Sequence, residues 1–402
     1  MRIAMMNSNR KNGSCTTDCD ESEDHAIHAE MVERGLNSPD TYIRSRWADR
    51  HDFIPTHEQV EHGLNDPEMY IRSAWVGRHD FNPTREQVER GLVDSSWEIR
   101  AAWARRMDWT PTPEQVERGL NDEDLDVRVA WAKRTDWTPT PEQVETGLYK
   151  SNWVECLEWI RRTDFTPTPE QVERGLNNKD ISVRAEWLKR MDWTPTPEQV
   201  EEGLSSQWSI RSIWVERMDW TPTPEQVESM LSDVANIRVE MVNRMDWTPT
   251  RKQVDRGLND NNSDVRAAWA RRGDWTPTSK QVERGLKDAD TWVRSRWVRR
   301  MDWTPTPKQV ERGLDDTDVV RLEWVERMDW TPTPEQVERG LNDDSTDVLV
   351  AWVKRMDWTP SPEQAEGGLK DSSSTVRDAW MERVKMEHEK ILESESDMEA
   401  SL

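Results

Sequence analysis

The chain has 402 residues, with 79 Asp and Glu against 55 Lys and Arg, a formal charge of −24 at neutral pH. Only 34% of its residues are hydrophobic and 33% are charged, which alone would fit an acidic disordered polymer, but 25 Trp exclude that class, because a ring that removes about 150–250 Å² from water on burial has no use in an unfolded chain. No apolar run of about 18 residues and no apolar signal core occurs, which predicts no membrane span and a cytoplasmic protein, and the odd trio Cys15, Cys19 and Cys156 argues against a disulfide framework.

In chain order, residues 1–24 form a polar head predicted to be disordered, 25–385 a tandem repeat, and 386–402 an acidic tail. The repeat is set by aromatics. An Asp is followed by Phe53, Phe81, Trp109, Trp137, Phe165, Trp193, Trp220, Trp247, Trp275, Trp303, Trp330 and Trp358, spaced by 27 or 28 residues. A second series, from Trp47 and Trp75 to Trp352 with Met241 as its one exception, lies six residues before each, and Trp380 ends it. Such a period marks a stacked array, here of 13 units.

One unit is legible from Thr110 to Trp137. Thr112, Pro113 and Gln115 supply an N-cap, a first-turn proline and a capping-box partner, so a helix starts there. Val116 and Leu120 share one face, and Gly119 between them removes bulk where a neighbour approaches. A polar turn over 121–126 leads to a second helix from about Asp126 to Arg134, with Val127, Ala130 and Trp131 as its buried stripe. The Leu-to-Trp segment alone changes length, being one residue shorter in Leu204–Trp214, Leu231–Met241 and Leu314–Trp324; a segment that absorbs deletions is an exposed turn. Neither helix buries its stripe alone, so the expected fold is an all-α α-solenoid of 13 two-helix repeats.

Several ladders recur at fixed offsets. Arg stands three residues after each second-helix aromatic (Arg50, Arg78, Arg106 through Arg383), with Asp two residues later in 12 units. A row of phosphate contacts is one reading; the offset favours an inter-repeat ion-pair ladder whose Arg stems cover Trp rings. Another Arg, three before the Trp (Arg44, Arg72, Arg100, Arg128, Arg184 and onward), is replaced by Cys156 and Leu349 and reads as structural. Glu114 and Arg118 suit a solvated i,i+4 pair. The Asp-Trp ring either closes the joint between units or offers a stacking platform for nucleobases, and constant spacing to both flanking helices favours the joint. Trp97, Trp153, Trp208, Trp292, Tyr42 and Tyr70 lie near the variable turn, where partner contact and local packing remain equally open.

The unit from Leu120 through Val127, Arg128, Ala130, Trp131 and Arg134 to Asp136, Trp137 and the Thr-Pro-Thr-Pro-Glu-Gln-Val144 string resembles the leucine-rich repeat variant family and, more loosely, HEAT-like helical repeats. That resemblance covers nearly all of 25–385 and implies a superhelix of alternating short helices. The period is longer here, Trp stands where that family usually has small aliphatics, and Cys15 and Cys19 are too few for the four-thiolate cluster that can accompany such repeats. The Thr-Pro-Glu-Gln-Val string is also similar to the opening of a TAL effector repeat, without its period or its glycine pair.

No P-loop, dinucleotide turn, nucleophile elbow or zinc-ligand spacing is present, so no enzyme activity, catalytic residue, metal or cofactor is assigned. His25, His28, His51, His57, His62 and His79 crowd the first two units; divergence of a capping repeat explains them more simply than a transition-metal site. From Arg251 to Arg312 the chain reverses its charge, with 15 Lys and Arg against nine Asp and Glu. Positions two before and two after the second-helix Trp are expected to point away from the buried stripe. The latter carry a basic row of Arg105, Lys133, Arg161, Lys189, Arg271, Arg299 and Lys354, and the former are often small, as at Ala101, Ala185, Ala267 and Ser295. A solvated helix face is the plain reading. The functional one is a scaffold that binds a protein or peptide, acidic in character, on a concave face through Trp292, Arg294, Arg296, Arg299, Arg271, Arg105, Lys133, Arg161 and Lys189. Nucleic-acid binding by a repeat ladder is the alternative, which the net charge opposes, and an acidic rod that imitates DNA is a third.

Overall fold

The computed structural model describes residues 29–150 and 152–400, and every element it places there is a helix. The polar head at 1–24, Cys15, Cys19, His25 and His28 lie outside the described residues. Residues 29–36 are helical, Thr41–Ala48 follows, and the same short pair recurs down to Pro362–Gly368 and Ser374–Ala400. The described chain thus consists of 13 helix pairs and divides along the sequence, between Trp193 and Thr194, into two compact units. Each unit is a run of α-solenoid. No helix among the described residues is long and apolar enough to cross a membrane.

Local chemistry starts each first helix. In Pro113–Leu120 the Thr112 hydroxyl accepts from the Gln115 backbone N–H at 3.3 Å while Gln115 Oε1 accepts from the Thr112 N–H at 2.9 Å. The reciprocal box satisfies two donors that a helix start leaves unpaired, and it is present at Thr56, Thr84, Thr140 and each later start through Ser361. The second helix of this repeat is Leu125–Lys133, one residue ahead of the expected start, capped by Asp124. The three shortened turns lead into Trp208–Glu216, Ala235–Asn243 and Asp318–Glu326, whose preceding residues Gln207, Val234 and Thr317 make no side-chain cap. Glu68, Ser96 and Ser345, which follow turns of full length, make none either, so a side-chain cap is dispensable at the second helix, whose start is held by packing.

The core is a row of indoles. Trp75, Trp103, Trp131, Trp159 and Trp187 in the first unit, and Trp269, Trp297, Trp324 and Trp352 in the second, are each 1% exposed. At about 25 cal/mol per Å² and about 200 Å² per ring, each contributes up to ~5 kcal/mol, an upper bound because unfolded chains already bury some area. Each ring lies against the glycine of its own first helix: a Cβ added to Gly119 would stand 2.0 Å from Trp131 Nε1. The Asp-Trp rings close the joints, as their spacing predicts. Trp109 meets Trp131 of the next repeat edge to face, with centroids 6.0 Å apart and planes at 77°.

The arginine ladders exchange roles relative to expectation. Arg134, only 1% exposed, pairs within its own repeat with Asp136. What it carries to the preceding repeat is hydrogen bonds: Nη1 donates to the carbonyls of Ala104 (2.9 Å) and Arg106 (2.5 Å) and Nη2 to that of Trp109 (2.9 Å). Those first two carbonyls end the helix Trp97–Arg105, so a cation of one repeat caps the negative end of the previous second helix. Its guanidinium also lies 4.2 Å from the Trp109 ring centroid and 5.5 Å from that of Trp131, as the expected cover of Trp by Arg requires. The inter-repeat ion pairs belong to the other series. Arg100 pairs with Asp122 of the next repeat at 2.8 Å, Arg266 with Asp288 at 2.7 Å and Arg294 with Asp316 at 2.6 Å. Arg118, in turn, reaches Glu89 of the preceding repeat at 2.8 Å rather than Glu114.

Candidate functional site

Within each unit, consecutive second helices pack on one another, and first helices pack chiefly on their own second helix. The second-helix face is therefore a continuous surface built from one short stripe per repeat. Its composition differs from expectation at the position two before the Trp: Ala101 and Ser295 are fully buried and Ala185 and Ala267 are half-buried. Small residues stand there because the next second helix packs against them; the Ser295 hydroxyl donates to Glu323 of the following repeat at 3.2 Å. The outward stripe is carried by the residue two after the Trp, and the residue just before the Trp borders it, half-buried at Glu158, Glu186 and Arg296 and buried at Glu323.

In helix Thr291–Arg299 that stripe contains Trp292, Arg296 and Arg299, spaced i, i+4, i+7 on one face. Trp292 is 60% exposed. Arg296 and Arg299 join Arg271 of the preceding repeat in lining a cleft of about 470 Å³, together with Gly273, Arg300, Met301 and Asp302. Arg271 donates to Asn243 Oδ1 at 2.5 Å, and Arg299 pairs with the buried Glu323 at 2.5 Å, a hydrogen bond that raises the Arg299 pKa further. Arg296 makes no hydrogen bond or ion pair among the described residues. Arg294 is turned away from this stripe. Its Nε and Nη2 hold Asp316 at 2.7 and 2.6 Å and its Nη1 donates to the Asp288 and Ala289 carbonyls, which commits it to the inter-repeat ladder. Desolvation pushes Asp316 up, but the Arg294 hydrogen bond and that of the Thr317 backbone outweigh it and hold the carboxyl below its usual range.

The first unit has the same cleft with a different charge. Arg161 and Lys189 line it together with Glu186, at about 480 Å³. Glu186 stands just before Trp187, as Arg296 stands before Trp297, and accepts from Arg161 at 2.9 Å and from Lys189 at 3.2 Å. Lys133 lies 3.7 Å from Glu158, which also takes Arg161 at 2.8 Å. Arg105, with Ala102 at the corresponding position, makes no hydrogen bond or ion pair among the described residues. The basic row is thus exposed throughout but neutralised where an acid precedes the Trp. Sequence reasoning missed Glu158, Glu186 and Glu323; the signal was their constant place one residue before the indole.

Trp97, Trp153 and Trp208 begin their second helices and are 38, 50 and 56% exposed, and Tyr42 and Tyr70 are 69 and 44% exposed. Local packing therefore covers these rings only in part. His51 and His79 are not gathered with other ligands: no group of three or more His, Cys, Asp or Glu able to hold a metal occurs among the described residues.

No family model matches the chain and no curated protein matches it. Among solved structures the chain is similar to a leucine-rich repeat variant with a novel repetitive protein structural motif, at 21% identity over 57% of this chain and 84% of that one, with a TM-score of 0.41.

Proposed function

We propose that the chain is a non-enzymatic repeat scaffold that binds an acidic protein or peptide segment along the second-helix face, centred on Arg271, Arg296 and Arg299, with Trp292 as an aromatic anchor. One observation carries this reading: two clefts of the same register differ in the residue before the Trp, and where the first unit has Glu186 between its cations, the second has an unpaired Arg296 in a chain of net charge −24. Within a unit the second helices are the more closely packed series, which supports reading their face as the inner, concave side of a stack of repeats. A cleft whose cations outnumber its one lining acid, Asp302, attracts an oppositely charged chain, and Trp and Arg are both enriched at the energetic centres of interfaces. Arg105, Lys133, Arg161 and Lys189 extend the face with less net charge, and Arg294 supports it from within.

The test is binding of a fluorescein-labelled Asp/Glu-rich peptide, followed by anisotropy. Arg296→Glu combined with Arg299→Glu is expected to weaken binding at least about tenfold, since truncating or reversing central interface charges costs ~2–5 kcal/mol, while Arg161→Glu changes it little. Unchanged affinity in the double variant sinks this placement. Tighter and steeply salt-dependent retention of a single-stranded oligonucleotide would replace the peptide with nucleic acid.

A further inference from the structure

The grooves between consecutive first helices are crossed by arginines: Arg90, Arg118 and Arg174 reach back to Glu61, Glu89 and Glu145 of the repeat before. In the fifth repeat this position is Thr146, and the groove opens into a cavity of about 190 Å³. Its floor is the second helix Trp153–Arg161, which contributes Glu155 and Trp159, each 1% exposed. Glu155 Oε2 accepts from Arg128 Nε at 2.9 Å. Its other oxygen has no hydrogen-bond partner, with Lys150 Nζ standing off at 3.7 Å, and the Trp159 indole N–H has none either. A buried acceptor and a buried donor thus lie one helical turn apart on one wall, and each is a group that folded proteins ordinarily satisfy.

The register-equivalent groove of the second repeat shows what is particular here. It too lacks the arginine, having His62, but its floor carries Ile71 where this one has Glu155, and Asp66 where this one has Lys150; Asp66 is held by Arg44. Three departures from the repeat, at Thr146, Lys150 and Glu155, therefore coincide at one cavity.

We infer that this cavity binds a small neutral molecule presenting an N–H donor beside a carbonyl acceptor, a carboxamide or lactam. The N–H would donate to Glu155 Oε1 and the carbonyl would accept from Trp159 Nε1, with the body of the ligand against Leu120 and the indole. An organic cation is disfavoured because Glu155 already faces two cations, Arg128 and Lys150. The volume suits one ring, since an apolar cavity of about 150 Å³ admits benzene. The site opens between first helices and shares no residue with the basic cleft, so it stands or falls independently of the peptide reading.

Saturation-transfer NMR on the full chain, titrated with benzamide, benzoate and benzylammonium, tests it. Benzamide is expected to saturate with a millimolar Kd and the other two, which lack the donor or the acceptor, to bind several-fold more weakly. Thr146→Arg rebuilds the pair that neighbouring repeats make and should weaken benzamide at least about tenfold with an unchanged melting curve. If that variant misfolds, Thr146→Leu fills the same mouth and carries the same expectation. Absence of saturation by benzamide, equal binding of the three probes, or binding undiminished in the mouth variants overturns the assignment.

Discussion

The glycine of each first helix is the residue on which the indole row depends. A methyl group at Gly119 would meet Trp131 at 2.0–2.3 Å from three ring atoms, and that ring is 1% exposed and held edge-on by Trp109. It has nowhere to move, because packed interiors accommodate added volume only by shifting rotamers or backbone. Gly119→Ala is therefore expected to destabilise its repeat by about 1–3 kcal/mol. Gly367 supplies the control: it sits in the helix Pro362–Gly368, and an added Cβ there meets nothing within 4 Å. Gly367→Ala should be neutral or stabilise by up to about 1 kcal/mol through the unfolded chain and helix propensity. Urea titrations followed by near-UV circular dichroism compare the two, and similar shifts in both would remove the steric account.

At the scale of the element, the first helices were legible and the ladders between repeats were not. Thr112, Pro113 and Gln115 are local signals, since the bonds of a capping box join residues three apart, and the structure places the helix at Pro113–Leu120 where they put it. Ladder partners are a different problem. In a periodic chain each Arg has several Asp and Glu at constant offsets, in its own repeat and in the repeats on either side, so spacing alone cannot choose among them. Packing chooses. Arg134 keeps the near Asp136, Arg100 takes Asp122 in the next repeat, and Arg118 takes Glu89 in the one before. The site was half legible for the same reason: the basic row follows from the period, but its neutralisation by Glu186 and Glu158 depends on which helices lie side by side. The box also reaches beyond its helix, because Gln115 Nε2 donates to Glu89 of the preceding repeat at 2.8 Å. Thr112→Ala is expected to cost about 1 kcal/mol, the ordinary loss of a cap, and Gln115→Ala more, as it also removes the inter-repeat bond. Equal losses, measured by the same titration, would show that the bond to Glu89 contributes nothing.

For the whole molecule, repetition turns weak local electrostatics into a pronounced response to acid. Asp122, Asp233, Asp288 and Asp316 all lie below the ordinary aspartate range: desolvation pushes each up, and the hydrogen bonds of Arg100, Arg211, Arg266 and Arg294 together with backbone donors outweigh it. Glu283 falls to about 2 through hydrogen bonds from Arg312 and then Lys287. A carboxylate whose pKa is lower in the folded state adds stability that is fully present above its unfolded value, near 4, and disappears as pH falls through the folded value. Glu283 is well exposed and its share is screened; the four aspartates, with side chains only 11–17% exposed, carry more of the effect. Protonation also converts a chain of net charge −24 into one bearing 55 Lys and Arg with few anions to oppose them, and that self-repulsion acts in the same direction. The melting temperature is therefore expected to stay flat between about pH 7 and 5 and to fall steeply below about pH 4. Salt should shield the repulsion at pH 3 and restore part of the loss. Far-UV circular dichroism melts across pH 2–7 check this, and a decline that begins above pH 5 would mean that groups other than these paired carboxylates govern acid stability.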